Sequence, residues 1–421
     1  MMPVMTQTTA SASIDQPFAL PSGAQLKNRL VKAALSEQLG DLSNAPTKKL
    51  DALYRQWSLG GFGLLITGNV MVDRRALGEP RNVVVEDDRD FAALQSWAAA
   101  SKVGGNATWV QLNHPGRQSP RYLSPKPVAP SPVDLKLFGQ FASPRALTGA
   151  EIHEIIERFA TTAETVVRAG FDGVQIHSAH GYLSSQFLSP ITNLRTDEWG
   201  GDPERRMRFL LEVVRAVRER IGPKAGLGVK LNSADFQRGG FSEEESMGVV
   251  EALSAEQLDL LEISGGTYEH AALLGSLKSV RESTRQREAY FLEYAEKVRE
   301  RAGMPLMLTG GLRSASAMNA ALAGGAIDLI GLGRPTCIDA NVARGLLDGS
   351  TEKAATAPKP NLRFRAANDY SELGWHTTQM WRLGTGKPAR PGRPHALTVT
   401  EYTVGSLTGG LVRAIKRPPR Y

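Results

Sequence analysis

The chain has 421 residues, 41% of them apolar, and a formal net charge of +7, a length and composition that allow a large buried core. Its single cysteine, Cys337, excludes a disulfide framework, a cysteine-bound zinc site and an iron–sulfur cluster within the chain. The basic excess lies in residues 350–421, which hold 12 Lys and Arg against 4 Asp and Glu without a clustered run, so we expect no nucleic-acid partner.

The opening residues, MMPVMTQTTASASID, have neither the basic start nor the continuous apolar stretch of a secretory signal. We expect residues 1–17 to form a disordered lead. No apolar run approaches the roughly 20 residues that a bilayer span needs, so the sequence predicts no membrane partner. A cytoplasmic location is expected on the same grounds.

From residue 26 onward, short apolar strands alternate with amphipathic helices. Eight strands are predicted, at residues 29–33, 64–69, 108–112, 173–177, 226–232, 258–264, 305–309 and 329–331. This pattern predicts an α/β fold, a closed parallel (β/α)8 TIM barrel over residues 18–350. An open doubly wound sheet is the competing architecture, but VKAALSEQL after the first strand lacks its phosphate-binding glycine turn.

The predicted helices begin at recognisable caps. Capping boxes start at Thr148 and Ser242, and Asp202 is followed by proline at the first helical position. A proline-rich segment, SPRYLSPKPVAPSPVDLKLFGQ, follows the third strand and is expected to form an ordered loop over the barrel mouth. The extension at 351–421 is rich in aromatic residues, so we expect it to pack on the barrel or on a neighbouring subunit of a homo-oligomer.

The first candidate site residues follow the fourth strand, because barrel enzymes place their active sites at the carboxyl ends of the strands. His177, His180 and Tyr182 lie there, and two imidazoles and a phenol can bind a carbonyl oxygen and supply a proton. A satisfied structural histidine is the alternative for either imidazole. A metal site would need a third ligand, and no other histidine lies at a strand end beside a carboxylate, so no metal is predicted.

Glycine-rich turns follow the seventh and eighth strands. LTGGLRSAS and IGLGRPT place Gly311 and Gly333 at strand–loop junctions, with Arg334 next and Ser314 capping a helix. Backbone N–H groups at such junctions often bind phosphate in barrels. Tight turns that simply require glycine are the alternative.

Lys230 alternates with apolar residues on the fifth strand, so its side chain should point into the barrel. An unpaired cation there is costly and needs an anionic partner. A flavin that becomes negative on reduction is one candidate, and a barrel carboxylate is the other. Gln111 lies on the third strand, in TWVQLNHPGR.

The run HSAHGYLSSQFLSPITNLRTDEWGGDPERRMRFLLEVV resembles the signature of the Old Yellow Enzyme family of NAD(P)H:flavin oxidoreductases. KNRLVKAAL, GGFGLLITGNV, QLNHPGR, VKLNSADF and LTGGLRS…IGLGRP also occur in the family's order and at its strand ends. The resemblance covers roughly residues 18–350.

This resemblance implies that FMN lies across the barrel mouth. Its phosphate is expected against Gly311, Gly333 and Arg334, and Lys230 is expected beside N1 and the C2 carbonyl of the ring. The other contacts with the flavin ring are expected from Ala33, Ala34, Ser36, Gly68 and Gln111.

The resemblance also implies a reaction in two halves at one site. NAD(P)H passes hydride to flavin N5, and an enone or nitro compound then takes its place, with its oxygen held by His177 and His180. Tyr182 is expected to protonate the α-carbon, which makes the chain an ene-reductase. The alternatives are a flavin dehydrogenase or oxidase of a specific metabolite and a non-catalytic flavin-binding barrel.

Several positions near the first strand depart from the family's pattern. Ser36 stands where many relatives carry cysteine or threonine, and Ala34 stands where proline is common. Glu37 and Gln38 occupy positions where one branch has a substrate-contacting tyrosine. We therefore make no prediction from these positions about the reduction potential of the flavin or about the side chains that form this wall of the pocket.

Overall fold

A ring of eight parallel strands forms the centre of the molecule, in a computed structural model that describes residues 12–136, 139–235, 237–264, 292–360, 362–363 and 365–416. The strands are β1 (Leu30–Lys32), β2 (Leu64–Ile66), β3 (Ala107–Asn113), β4 (Gly173–Ser178), β5 (Gly226–Asn232), β6 (Leu260–Ser264), β7 (Leu306–Thr309) and β8 (Leu329–Leu332). Each strand pairs with the next in the chain, and β8 pairs with β1, which closes the ring. Each predicted strand overlaps an observed one, and the predicted TIM barrel is confirmed.

Helices cover the outside of the ring and form the C-terminal extension. They are α1 (Lys48–Leu59), α2 (Phe91–Ala100), α3 (Gly149–Arg168), α4 (Leu183–Leu188), α5 (Pro203–Ile221), α6 (Glu243–Ser254), α7 (292–299), α8 (Ala315–Ala323), α9 (Val342–Asp348), α10 (Arg365–Leu383) and α11 (His395–Lys416). The predicted caps form. Thr148 and Ser242 each make a capping box with the glutamate three residues later in the chain, and the Asp202 side chain accepts a hydrogen bond from the backbone N–H of Arg205. A cap of this kind stabilises its helix by about 1 kcal/mol.

Short strand pairs lie at the ends of the ring. Phe18–Ala19 and Gln25–Leu26 form an antiparallel hairpin, and its Leu20 and Leu26 join the apolar cluster inside the barrel. This hairpin therefore packs into the inner core. The remaining short strands are Val70–Met71, Val83–Val84, Val128–Ala129 and Arg145–Ala146.

Successive strand residues face opposite layers, as a period of two requires. On β5, Leu227 and Val229 belong to the large cluster that includes the helices, whereas Gly226 and Gly228 face Trp109 on β3. A Cβ on Gly226 or Gly228 would lie 2.2 or 2.9 Å from the Trp109 ring. The Trp109 indole thus fills the space that a larger side chain at Gly226 or Gly228 would occupy, and the barrel has a packed core at this level.

The packed body begins earlier than the sequence predicted. Ile14, placed in the expected lead of residues 1–17, is buried, and its backbone N–H donates to Asn319 Oδ1 at 2.9 Å. Its apolar side chain has a partner surface on the barrel, which is why the order extends before Phe18. Residues 1–11 of the expected lead lie outside the described residues.

The C-terminal helices α10 and α11 pack on each other and on this chain's own barrel. Trp381 of α10 stacks with Tyr402 of α11 at 6.1 Å between ring centroids. Gln56 of α1 donates to the carbonyl of Leu383 at 2.7 Å, which ties the end of α10 to the barrel shell. Across the part of the chain described by the structure, every helix is too short or too polar to cross a membrane.

Candidate active site

The carboxyl ends of β3, β4 and β5 bring several predicted site residues to one rim. His177 pairs in register with Lys230, and Gln111 pairs with Gln175 on the neighbouring strand. Alternate residues of a barrel strand point inward, so these four side chains share the inner face below the mouth. The sequence prediction named three of them and missed Gln175.

His177, His180 and Tyr182 form an aromatic cluster at the end of β4. The His177 ring lies 5.1 Å from the His180 ring and 4.8 Å from the Tyr182 ring, with edge-to-face geometry in both cases. His177 is 4% exposed and Tyr182 is 3% exposed, whereas His180 is half-buried, so two of the three rings are nearly closed to water. Asn69 Nδ2 donates to Tyr182 Oη at 3.4 Å and holds the phenol toward the two histidines.

Burial determines the charge of the two histidines. It lowers the pKa of both His177 and His180 well below the usual range, and the positive charge of Lys230 lowers both further. The backbone N–H of Ala179 donates to His177 Nδ1 at 3.2 Å, so the neutral ring carries its proton on Nε2. His177 is therefore a neutral hydrogen-bond donor at pH 7.

The backbone of His180 is held in an uncommon conformation. Its φ of 60° lies in the left-handed region, which typically costs about 1–3 kcal/mol for a non-glycine residue. Its N–H donates to Asn232 Oδ1 at 3.1 Å, and its carbonyl accepts from Gln118 Nε2 at 2.8 Å. The ring Nε2 lies 2.8 Å from Ser264 Oγ. Two strand ends and one loop thus hold this residue in place, and the sequence prediction missed Ser264.

A chain of buried polar side chains crosses the inner face below the rim. Gln111 Nε2 donates to Gln175 Oε1 at 2.8 Å, and Gln175 Nε2 donates to Glu262 Oε2 at 2.8 Å. Glu262 Oε1 lies 2.9 Å from Lys230 Nζ, so the barrel carboxylate considered as an alternative partner for Lys230 is present. We call Gln111, Gln175, Glu262 and Lys230 the inner polar chain.

Gln175 and Glu262 could have been found from the sequence. Each interrupts an apolar strand, GVQIHS and LLEIS, at an inward position, as Lys230 does in GLGVKLN. The same argument that singled out Lys230 applies to both. The sequence could not show that the Glu262 carboxylate both pairs with Lys230 and accepts a hydrogen bond from the Gln175 amide.

The residues expected to bind the FMN phosphate lie at the turns after β7 and β8. Gly310 and Gly311 have φ values of 110° and 84°, a conformation that glycine adopts without strain. Thr309 Oγ1 is buried and has no hydrogen-bond partner among the residues the structure describes. Arg334, just past Gly333, has a half-exposed side chain and pairs with Glu372 of α10 at 2.5 Å. Helix α10 of the C-terminal extension therefore contacts the expected phosphate-binding site.

The expected ring-binding residues lie at the ends of β1 and β2. Ala33 is buried at the end of β1, and Ala34 and Ser36 follow it, half-buried. The Gly68 N–H donates to Glu37 Oε1 at 2.9 Å, and a Cβ on Gly68 would lie 1.9 Å from the carbonyl oxygen of Leu35. Only glycine fits at this close approach.

A second buried ion pair lies just outside the barrel wall. Lys32 Nζ is 3.4 Å from Glu37 Oε1 and 3.0 Å from the carbonyl of Ile66, and it lies 4.3 Å from the centroid of the Trp57 ring. Tyr54 Oη also donates to Glu37 Oε1. The sequence prediction noted Glu37 only as a possible pocket wall. We call Lys32, Glu37 and Tyr54 the outer charged cluster.

These features fit FMN. Small residues at inward rim positions leave room for a flat ring, the buried Thr309 hydroxyl is available to a polar ligand, and Lys230 supplies a cation on the inner face. The glycine turns and Arg334 suit a phosphate. Within the described ranges, no group of three or more His, Cys, Asp or Glu side chains could hold a metal ion.

Several known proteins are similar to this chain. Residues 13–352 match the sequence model of the NADH:flavin oxidoreductase / NADH oxidase family. The NADH-dependent flavin oxidoreductase iliE of Hypocrea jecorina is 38% identical over 348 residues, covering 77% of this chain and 86% of that protein. The old yellow enzyme homologue from Zymomonas mobilis has a TM-score of 0.70 at 26% identity, covering 82% of this chain and 95% of that one. Morphinone reductase in complex with tetrahydroNAD has a TM-score of 0.68 at 26% identity, covering 81% and 92%.

Proposed function

Since the chain belongs to the NADH:flavin oxidoreductase / NADH oxidase family, with Old Yellow Enzyme relatives, we propose that it is an FMN-dependent ene-reductase. Its substrates are small molecules with a C=C bond activated by a carbonyl or nitro group. The observation that carries the proposal is the cluster of two neutral histidines and a tyrosine on the rim above Lys230. NADH is the favoured hydride donor, as in the names of the similar proteins.

The proposal assigns the cofactor site to residues from six strand ends. FMN, when bound, supplies a ring that accepts hydride from the nicotinamide and passes it to the second substrate. The glycine turns and Arg334 hold the phosphate, and Lys230 favours negative charge on the reduced ring. The residues assigned to the cofactor are Ala33, Ala34, Ser36, Gly68, Gln111, Lys230, Gly311, Gly333 and Arg334.

The two histidines bind and polarise the substrate oxygen. His177 presents Nε2–H, and because the ring is neutral it does so without a buried charge in the resting site. As hydride reaches the β-carbon, negative charge develops on the substrate oxygen and strengthens this hydrogen bond. A single preorganised donor of this kind typically lowers the barrier by about 3–4 kcal/mol. His180, aimed by Asn232 and Ser264, is the second donor.

Tyr182 completes the reaction by giving its Oη proton to the α-carbon. The phenol packs against the His177 ring and accepts a hydrogen bond from Asn69, so its Oη stays beside the histidines. Near-complete burial of the tyrosine excludes bulk water as a competing proton source.

An anaerobic absorbance experiment tests the proposal. The purified protein, loaded with FMN, is treated with NADH or NADPH and then with 2-cyclohexenone. Bleaching of the flavin band by the nicotinamide and its return with the enone would support both halves of the reaction. A flavin that NADH bleaches but that no enone, maleimide or nitro compound restores would contradict the ene-reductase proposal. A protein that takes up no FMN would contradict the cofactor site itself.

A further inference from the structure

The buried pair Lys230–Glu262 is built into the strand register. The two residues are direct partners across β5 and β6, and the ammonium and carboxylate lie 2.9 Å apart. Lys230 is 5% exposed and Glu262 is fully buried. Water therefore screens this pair very little, and its charges act strongly on any group bound beside them.

Glu262 also reaches past β5 to the amide of Gln175. In the register, Gln175 on β4 stands opposite Gly228 on β5, and Gly228 has no side chain to separate the two. Gln175 Nε2 donates to Glu262 Oε2 at 2.8 Å, and Gln175 Oε1 accepts from Gln111 Nε2 at 2.8 Å. Because a carboxylate only accepts, Glu262 determines which end of each amide faces the next.

We propose that Glu262 tunes the bound flavin: its carboxylate offsets the charge of Lys230 and, through Gln175, orients the Gln111 amide toward the ring. Glu262 is a positioning residue, because it acts on the ring through Lys230 and Gln111. This inference rests on the proposed FMN site. It explains why a cation that favours the reduced ring is itself paired with a buried anion.

The direction of the effect follows from the sign of the charges. Reduction adds negative charge to the ring, which Lys230 attracts and Glu262 repels. The pair therefore favours the reduced state less than Lys230 alone would. Removing the carboxylate while keeping the lysine should raise the reduction potential, and removing the lysine while keeping the carboxylate should lower it.

The test is the midpoint potential of the bound FMN, measured by anaerobic titration against reference dyes. We expect Glu262→Gln to raise it, with a change of about tenfold in the reduction equilibrium constant, which is about 30 mV for a two-electron couple. Lys230→Gln should shift it in the opposite direction. Glu256→Gln is the matched control, since its carboxylate pairs with Arg215 at 2.6 Å outside the barrel. That variant should keep the native potential.

Glu262→Asp covers the case in which a lone buried cation prevents Glu262→Gln from folding. The shorter side chain keeps the charge but withdraws it from Lys230 and Gln175, so a smaller positive shift is expected. An unchanged or lower potential in a folded, FMN-loaded Glu262 variant would overturn the inference while leaving the ene-reductase proposal intact. Failure of the native protein to bind FMN would instead remove the premise of both.

Discussion

Two buried lysine–glutamate pairs lie on opposite sides of the barrel wall, and they differ in how completely the protein satisfies them. In the outer charged cluster, Glu37 Oε1 accepts from Gly68 N–H and Tyr54 Oη and lies beside Lys32. On the inner face, Glu262 Oε1 lies 2.9 Å from Lys230 but accepts no hydrogen bond of ordinary geometry from a described residue.

This difference separates a pair whose charges are used within the protein from a pair that lies beside the proposed cofactor site. Lys32 packs against Trp57 and donates to a backbone carbonyl, so its charge is used within the protein. Burial lowers the pKa of Lys32, and Glu37 opposes that shift. In the inner pair, Glu262 Oε1 can still accept a hydrogen bond, and the pair lies beside the mouth, where the proposed cofactor binds. We therefore expect changes in the outer cluster to alter stability and changes on the inner rim to alter chemistry.

The largest expected effect comes from breaking the outer pair. Lys32→Met leaves Glu37 buried without its cation, which typically costs about 3–5 kcal/mol of unfolding free energy. Urea denaturation of the FMN-loaded protein measures this loss. Lys48→Met is the matched control, because Lys48 is 85% exposed in its pair with Asp51 and should contribute less than about 1 kcal/mol. Equal stability of the two variants would contradict the structural role of the outer cluster.

Next in size is the effect of removing the inner donor. His177→Ala should lower kcat for 2-cyclohexenone by about 10²–10³-fold, because the developing negative charge loses its preorganised hydrogen bond. FMN should remain bound. His153→Ala is the control, since that exposed ring packs beside Trp199 on the outer surface. A His177 variant that reduces the enone at the native rate would rule out this assignment.

The unfolding stability and the binding of the enone should depend on pH in different ways. Burial lowers the pKa of His114 to about 4, so the folded chain binds this proton more weakly than the unfolded chain does. Stability is therefore expected to be constant above about pH 7 and to fall as pH drops from about 6.5 toward 4. His177 and His180 act in the same direction.

Denaturation at pH 7 and pH 5 measures this loss, and His114→Asn should reduce it by about 1–2 kcal/mol. Enone binding should stay level from pH 8 to pH 6.5, because the two rim histidines remain neutral there. A binding step near pH 6.5 that disappears in His177→Ala would show a charged histidine instead.

The smallest expected effect concerns the aim of His180. Ser264→Ala removes the hydroxyl that lies 2.8 Å from His180 Nε2, which should lower kcat/KM for the enone by up to about tenfold, or about 1.4 kcal/mol. Ser254→Ala, at the end of α6, is the matched control and should leave kcat/KM unchanged. If both serine variants behave alike, Ser264 does not aim the imidazole.

Local patterns in the sequence were enough to predict much of this molecule. The period of two in the strands and the caps at Thr148, Ser242 and Asp202 depend on residues a few positions apart, so they were visible without the fold. The same period placed Lys230 inside the barrel. The rim position of His177, His180 and Tyr182 followed from one rule, that parallel strands end at one edge.

Partner choice could not be predicted in the same way, because it depends on register and on contacts between distant segments. Whether Lys230 would meet a flavin or a carboxylate was open until the alignment of β5 with β6 placed Glu262 opposite it. The reach of Gln175 to that carboxylate depends on Gly228, a residue more than fifty positions away in the chain.

The extension shows the same limit. Its aromatic residues predicted packing, but not the surface that they contact. Trp381 Nε1 donates to the carbonyl of Glu37 at 3.0 Å, and Gln38 Nε2 donates to Tyr402 Oη at 2.9 Å, so the last helices cover the loop after β1. The sequence by itself determined the strands, the caps and which side chains lie at the rim. Only the closed barrel decided which charges face each other, because register and long-range packing are properties of the whole chain.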